Sequence, residues 1–110
     1  MLPLIYSVVI ASALAVPPDA QGIVDAALAD AAKQSTAQAR VLEVERVRWG
    51  NASLGCPQKG MAYTEAVVPG WRIVIDAGGR TIEYHSSLKG PPHMCPPERV
   101  RRPLPPDLRT

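Results

Sequence analysis

The sequence predicts an α+β fold in which one N-terminal helix packs across a curved antiparallel sheet of three or four strands, stapled by one disulfide. Three observations predict it. Residues 23–31 carry an apolar stripe at helical spacing, residues 71–86 alternate about a glycine pair as a hairpin does, and the chain holds two cysteines, Cys56 and Cys95.

A chain of 110 residues has room for one domain. Apolar residues make up 46% of it, but Phe is absent and aromatics reach only 5%, so Val, Ile, Leu and Ala must fill the interior. Such a core is thin, and a covalent staple is correspondingly useful. The formal charge of +2 is unevenly placed. Residues 1–15 carry no charged side chain. Residues 16–95 balance Lys33, Arg40, Arg46, Arg48, Lys59, Arg72, Arg80 and Lys89 against Asp19, Asp25, Asp30, Glu43, Glu45, Glu65, Asp76 and Glu83. The excess lies in the tail, where Arg99, Arg101, Arg102 and Arg109 outnumber Glu98 and Asp107. A domain with no basic face and few aromatics lacks the electrostatic footing for nucleic acid, so no nucleic-acid partner is expected.

From Leu2 to Val16 the chain is uncharged and mostly apolar, and it closes with Ala13-Leu14-Ala15 ahead of Pro17-Pro18. This reads as a signal peptide over residues 1–15, cut after Ala15, although no Lys or Arg precedes the apolar run. Read instead as an anchor, fifteen helical residues span roughly 22 Å against a hydrocarbon core of about 30 Å. The expectation is therefore an exported protein, periplasmic or secreted, with no integral membrane span after processing.

Residues 16–95 are expected to form the domain. Asp19 is placed to cap a helix whose apolar side is Ile23, Val24, Ala27, Leu28 and Ala31, with Asp25, Asp30 and Lys33 opposite. Because the stripe is largely Ala, the helix must lie close to its partner, and a sheet is the natural one. Residues 40–49 form the first strand, with Leu42 and Val44 on one side and Glu43 and Glu45 on the other. Val47 and Trp49 share the parity of the glutamates. Either a bulge near Glu45 shifts the register or both faces are partly covered. Residues 61–68 can form a short strand. Residues 71–76 and 80–86 then pair across Gly78-Gly79, so that Ile75 faces Ile82, Ile73 faces Tyr84 and Trp71 faces Ser86. On the reverse side Val74 meets Glu83 and Arg72 meets His85, a polar face expected to look into water. From Pro96 to Thr110, prolines alternate with arginines, which predicts a disordered, extended tail.

Two cysteines in an exported chain most simply pair. A Cys56–Cys95 bridge closes a loop of about 40 residues, for which chain entropy gives roughly 4 kcal/mol of stabilisation. Competing readings are weaker. Cys56, His85, His93 and Cys95 supply ligand chemistry for a metal, but only His93 and Cys95 are locally spaced, so no metal or other cofactor is expected. A Cys56 nucleophile activated by His85 needs a free thiol and a third orienting group, so no catalytic residues are assigned. Glu43 and Glu45 read as a solvated strand surface, and His85 as a solvent-facing neighbour of Arg72. Asn51-Ala52-Ser53 matches a glycosylation sequon, and Arg102 to Pro106 is similar to SH3 ligands. The arginine-rich tail is expected to make weak contact with an anionic envelope through Arg99, Arg101 and Arg102.

Trp49, the run Ser53-Leu54-Gly55-Cys56-Pro57, Gly60, Tyr63, Pro69-Gly70, Tyr84-His85 and Cys95 together resemble a pattern in small exported bacterial proteins of unassigned activity. The resemblance covers about half of the chain and implies no catalytic residue. Asn51 stands where that pattern has an acidic residue, and Trp71 where it has Tyr. The architecture resembles the cystatin-like and PepSY-like folds. The function expected is a noncatalytic exported binding module that engages an extracytoplasmic protein, with inhibition of an exported hydrolase as its most concrete form. Met61 and Tyr63, expected to be exposed on the loop between Gly50 and Gly70, are the candidate binding residues. An envelope-associated structural protein is the alternative, and a Cys/His-dependent or metal-dependent enzyme ranks below both.

Overall fold

The computed structural model describes residues 15–36 and 38–106, so the expected signal peptide lies outside the described residues apart from Ala15. A 3₁₀ turn at Pro18–Ala20 leads into helix α1, Gln21–Ala32. Asp19 does not cap this helix. It sits inside the 3₁₀ turn, which Pro17 and Pro18 impose and which the Ala20 N–H closes on Pro17 O at 2.9 Å, and α1 starts without a side-chain cap. The expected stripe is the buried one. Val24, Ala27 and Ala31, joined by Ala20, pack on Trp71, Ile73, Ile75, Ala77, Ile82 and Tyr84, while Ile23 and Leu28 flank them half-buried. Side chains no larger than a methyl along most of this face let α1 lie close to the sheet.

The sheet is open and antiparallel, in the order β1 (Ala39–Trp49), β2 (Val68–Ala77), β3 (Arg80–Ser87), β4 (His93–Cys95). The β2–β3 hairpin has the expected register throughout, with Ile75 opposite Ile82, Ile73 opposite Tyr84 and Arg72 opposite His85. Gly78 and Gly79 both take positive φ, 66° and 84°, as the two-residue turn requires. The separate short strand expected at residues 61–68 is absent; only Val68 is extended, and it opens β2. Strand β4, too short to show a period in the sequence, pairs Glu83 with Cys95 and His85 with His93.

In β1 the irregularity falls between Val41 and Glu43, not near Glu45. Leu42 bulges out, 41% exposed, so Val41 and Val44 both join the helix-side core. From Glu43 to Trp49 the register is unbroken, and Val47 and Trp49 therefore lie on the same face as Glu43 and Glu45. Both are buried, Trp49 completely, while Glu43 and Glu45 stay exposed, which means that the second face of the sheet is covered in part. The expectation of a water-facing second side is corrected. The loop after β1 and the segment after β4 lie over it.

That second segment departs from the disordered tail expected from Pro96 on. Pro97–Arg99 forms a 3₁₀ turn, the Arg101 N–H donates to Gly55 O at 2.8 Å, and the Leu104 N–H donates to Arg48 O at 2.9 Å. Arg48 returns a bond from Nη2 to Pro105 O at 2.8 Å. Proline fixes this stretch in an extended form, as its composition predicts, but the Arg101 and Leu104 N–H groups tie it to the domain.

Candidate functional site

The covered second face is organised around Trp49. Its Nε1–H donates to Ser86 O at 3.0 Å, and its ring stacks on His85 with centroids 4.3 Å apart and planes 28° from parallel. The Ser53-Leu54-Gly55-Cys56 run closes a tight turn against that ring, the Cys56 N–H donating to Ser53 O at 3.0 Å. Leu54 and Gly55 both have positive φ, 56° and 69°. Gly55 is required twice over, since a Cβ there would lie 2.5 Å from the Trp49 ring and 2.8 Å from Arg101 O. Asn51 primes the turn by accepting from the Ser53 N–H at 2.9 Å and the Ser53 hydroxyl at 2.6 Å. An acidic residue at position 51 would accept the same two bonds, so this departure from the resembled pattern is conservative.

His85 is not solvent-facing. It is fully buried, with Nδ1 2.6 Å from Leu54 O and Nε2 2.5 Å from Glu83 Oε2. A carbonyl oxygen only accepts, so Nδ1 is the donor in the Leu54 contact. Glu83 also receives a two-pronged pair of bonds from Arg72, each 3.2 Å, and Arg72 Nη1 reaches Glu43 at 3.0 Å. Burial alone would lower the Arg72 pKa, but hydrogen bonds and charges from Glu43 and Glu83 outweigh it and hold the guanidinium above its ordinary value. A chain of polar groups thus runs from Glu43 on β1 to the Leu54 carbonyl and pins the loop to three strands. Sequence spacing gives Arg72 as the neighbour of His85 correctly; burial of the pair shows only once the loop is placed.

Cys56 and Cys95 are joined, with Cα atoms 5.8 Å apart. Beside the disulfide lies an open groove of about 550 Å³, bounded by the end of α1, residues 52–63, and β4 with the turn after it. Met61 stands on its rim, 58% exposed. Tyr63 is half-buried, contrary to the exposed position expected, because its hydroxyl accepts the Gln58 N–H at 2.9 Å. It braces the loop that presents Met61. Two groove residues were not legible as such in the sequence: Met94, 41% exposed with Gln34 Nε2 3.3 Å from its sulfur, and Arg99, whose Nη2 lies 3.7 Å from Cys56 Sγ. Arg101 and Arg102 are exposed, whereas Arg99 turns inward.

Under the end of α1, Tyr84, 1% exposed, donates from its hydroxyl to Asp30 Oδ2 at 2.6 Å. Burial, and then the Asp30 carboxylate, push the phenol pKa well above its ordinary value near 10. A raised folded-state pKa contributes stability that is fully present below about pH 10 and is lost as pH rises toward the folded value. Tyr84→Phe should cost about 1.5 kcal/mol at neutral pH and should flatten the decline in urea midpoint above pH 10. An alkaline decline as steep as in the parent protein would contradict this assignment.

Both sulfurs are engaged with each other and both His85 nitrogens are taken, so three of the four ligands considered for a metal, and the thiol considered as a nucleophile, are in use elsewhere. Among the described residues no group of three or more His, Cys, Asp or Glu converges as a metal site. No described helix is long and apolar enough to cross a membrane.

The profile of a family described as a domain of unknown function, DUF8738, matches residues 22–95. The chain belongs to this family. The DUF8738 match takes in all four strands, α1 from Gly22 onward and both cysteines, and with them the Trp49–His85 stack and the Met61 loop. No curated protein and no solved structure matches the chain.

Proposed function

We propose that this DUF8738 protein is an exported, noncatalytic binding module that docks an extracytoplasmic protein on the loop between Gly50 and Gly70. The observation that carries the reading is a large apolar side chain, Met61, held 58% exposed on a loop that is fixed at several points. Cys56 is bonded to Cys95, Ala52 N–H donates to Thr64 O at 3.0 Å, and Met61 N–H donates to Gln58 O at 3.1 Å. Preorganised apolar surface loses little entropy on association, so it is suited to recognition. Inhibition of an exported hydrolase is the most concrete form of such an activity. Export is supported by the disulfide, by the apolar Leu2–Val16 segment and by the resemblance to small exported bacterial proteins. Val16 as the first residue of the mature protein in mass spectra is the expected outcome.

Met61→Ala, alone and with Tyr63→Ala, is expected to weaken partner capture from envelope extract at least tenfold while leaving the single variant's Tm unchanged. An unchanged capture profile would remove the loop as the docking surface. Exposed Arg101 and Arg102 favour a second reading, attachment to an anionic envelope surface. Reversing both charges to Glu tests it without disturbing the Leu104 contact, through release of the protein into the medium.

A further inference from the structure

We infer that the groove beside the disulfide receives a carboxylate-bearing peptide segment, with Arg99 meeting the carboxylate and Met61 and Met94 forming the apolar walls beside it. The inference rests on the loop being a docking surface and names the chemistry that surface selects. Arg99 ends the 3₁₀ turn Pro97–Arg99, whose Arg99 N–H bonds back to Pro96 O at 2.9 Å, so its backbone is fixed. The side chain is half-buried. Among the described residues its Nε, sealed from solvent, has no hydrogen-bond partner, and its Nη2 meets the weak acceptor Cys56 Sγ at 3.7 Å. Among the described residues no carboxylate lies within 4.0 Å of it, whereas the partly buried Arg72 has two.

Asp30 is the acid that lines the groove, and it is already occupied. Its Oδ2 accepts from Tyr84 at 2.6 Å and from Gln34 at 3.1 Å. Arg99 is therefore a partly desolvated cation on the lining of the groove, with no counter-ion among the described residues. A planar carboxylate fits a guanidinium through two parallel bonds, and such a pair is strengthened where water is partly excluded. The flanking walls decide what else the ligand carries. Two exposed methionines, flexible and polarizable, accommodate an aliphatic side chain of varied shape.

The test uses the oxidised full chain, ¹⁵N-labelled, titrated separately with N-acetyl-leucine, N-acetyl-leucinamide and inorganic phosphate. The acid is expected to shift the Arg99 Nε–H and the Met61 and Met94 amides. The amide probe, and Arg99→Gln with the acid, should each bind at least tenfold more weakly, and Arg99→Lys should recover part of the loss. If Arg99→Gln disturbs the fold, the acid-to-amide ratio on the parent protein still decides. Equal binding of acid and amide would overturn the inference, as would shifts outside the groove, or phosphate binding as tightly as the acid, which would make the site a general anion site. Silent probes together with loss of partner capture in Met61→Ala would remove the carboxylate inference and leave the docking surface standing. Groove shifts by the acid in a protein that captures no partner would support the inference and remove that reading of the surface.

Discussion

Trp49→Ala is expected to destabilise the oxidised domain by about 3–5 kcal/mol, the range for deleting a fully buried aromatic side chain. The reason is geometric. The indole is completely buried, lies against the backbone of Gly55 and Gly70, stacks on His85 and donates to Ser86 O. Its removal opens a cavity under the loop and leaves the His85–Leu54 contact without support. A domain of this size has about 5–12 kcal/mol in total, so the variant would lose a large share of the parent's stability. Trp49→Phe keeps a stacked ring and loses the N–H bond, and should cost less than half as much. Leu42→Ala, at the exposed bulge, should stay within about 0.5 kcal/mol of the parent. Urea denaturation of the three variants gives the ranking. A Trp49→Ala cost below about 1 kcal/mol would mean that the second face is not a core.

Reduction of Cys56–Cys95 is the second large effect. The bridge spans a sequence separation of 39 and ties the loop after β1 to β4, so its loss restores conformational freedom to the unfolded chain and unfastens the loop in the folded one. About 4 kcal/mol of stability and a drop of about 15–30 °C in Tm are expected, in the paired Cys56→Ser/Cys95→Ser protein as in reductant. A Tm that does not respond would remove the staple from the account. Trp49→Ala and reduction both act on the same covered face, so their costs should not add.

The helix and the hairpin were legible because each signal is local. Residues 23–31 show one face at a period near 3.6, and the two strands about Gly78-Gly79 alternate at period 2 from a turn that only a few residue types permit. The disulfide followed from cysteine number and the expectation of export. The covering of the second face was present in the sequence only as a conflict, apolar Val47 and Trp49 in step with Glu43 and Glu45. Resolving it needs contacts between residues far apart in the chain, such as Arg101 to Gly55 and Leu104 to Arg48. Proline and arginine composition describes the conformation of residues 96–106 but not the surface that receives them. His85 was misread for the same reason: its strand parity is correct, and the face it points to is buried by a loop that has no periodicity to announce its position. Met61 could be picked out as an apolar residue on a punctuated loop, whereas Arg99 and Met94 carry no signal until β4 brings them beside Cys56.

The central claim is that residues 50–67 form a fixed surface fastened over the sheet and not a free loop. Amide hydrogen exchange in the native oxidised protein tests it most directly. The Ala52, Leu54, Cys56 and Met61 amides, each bonded within the loop, and the Arg101 amide bonded to Gly55, should exchange on the order of a hundredfold slower than in an unstructured chain. Exchange of these amides at unstructured rates, while the β2–β3 amides stay protected, would contradict it.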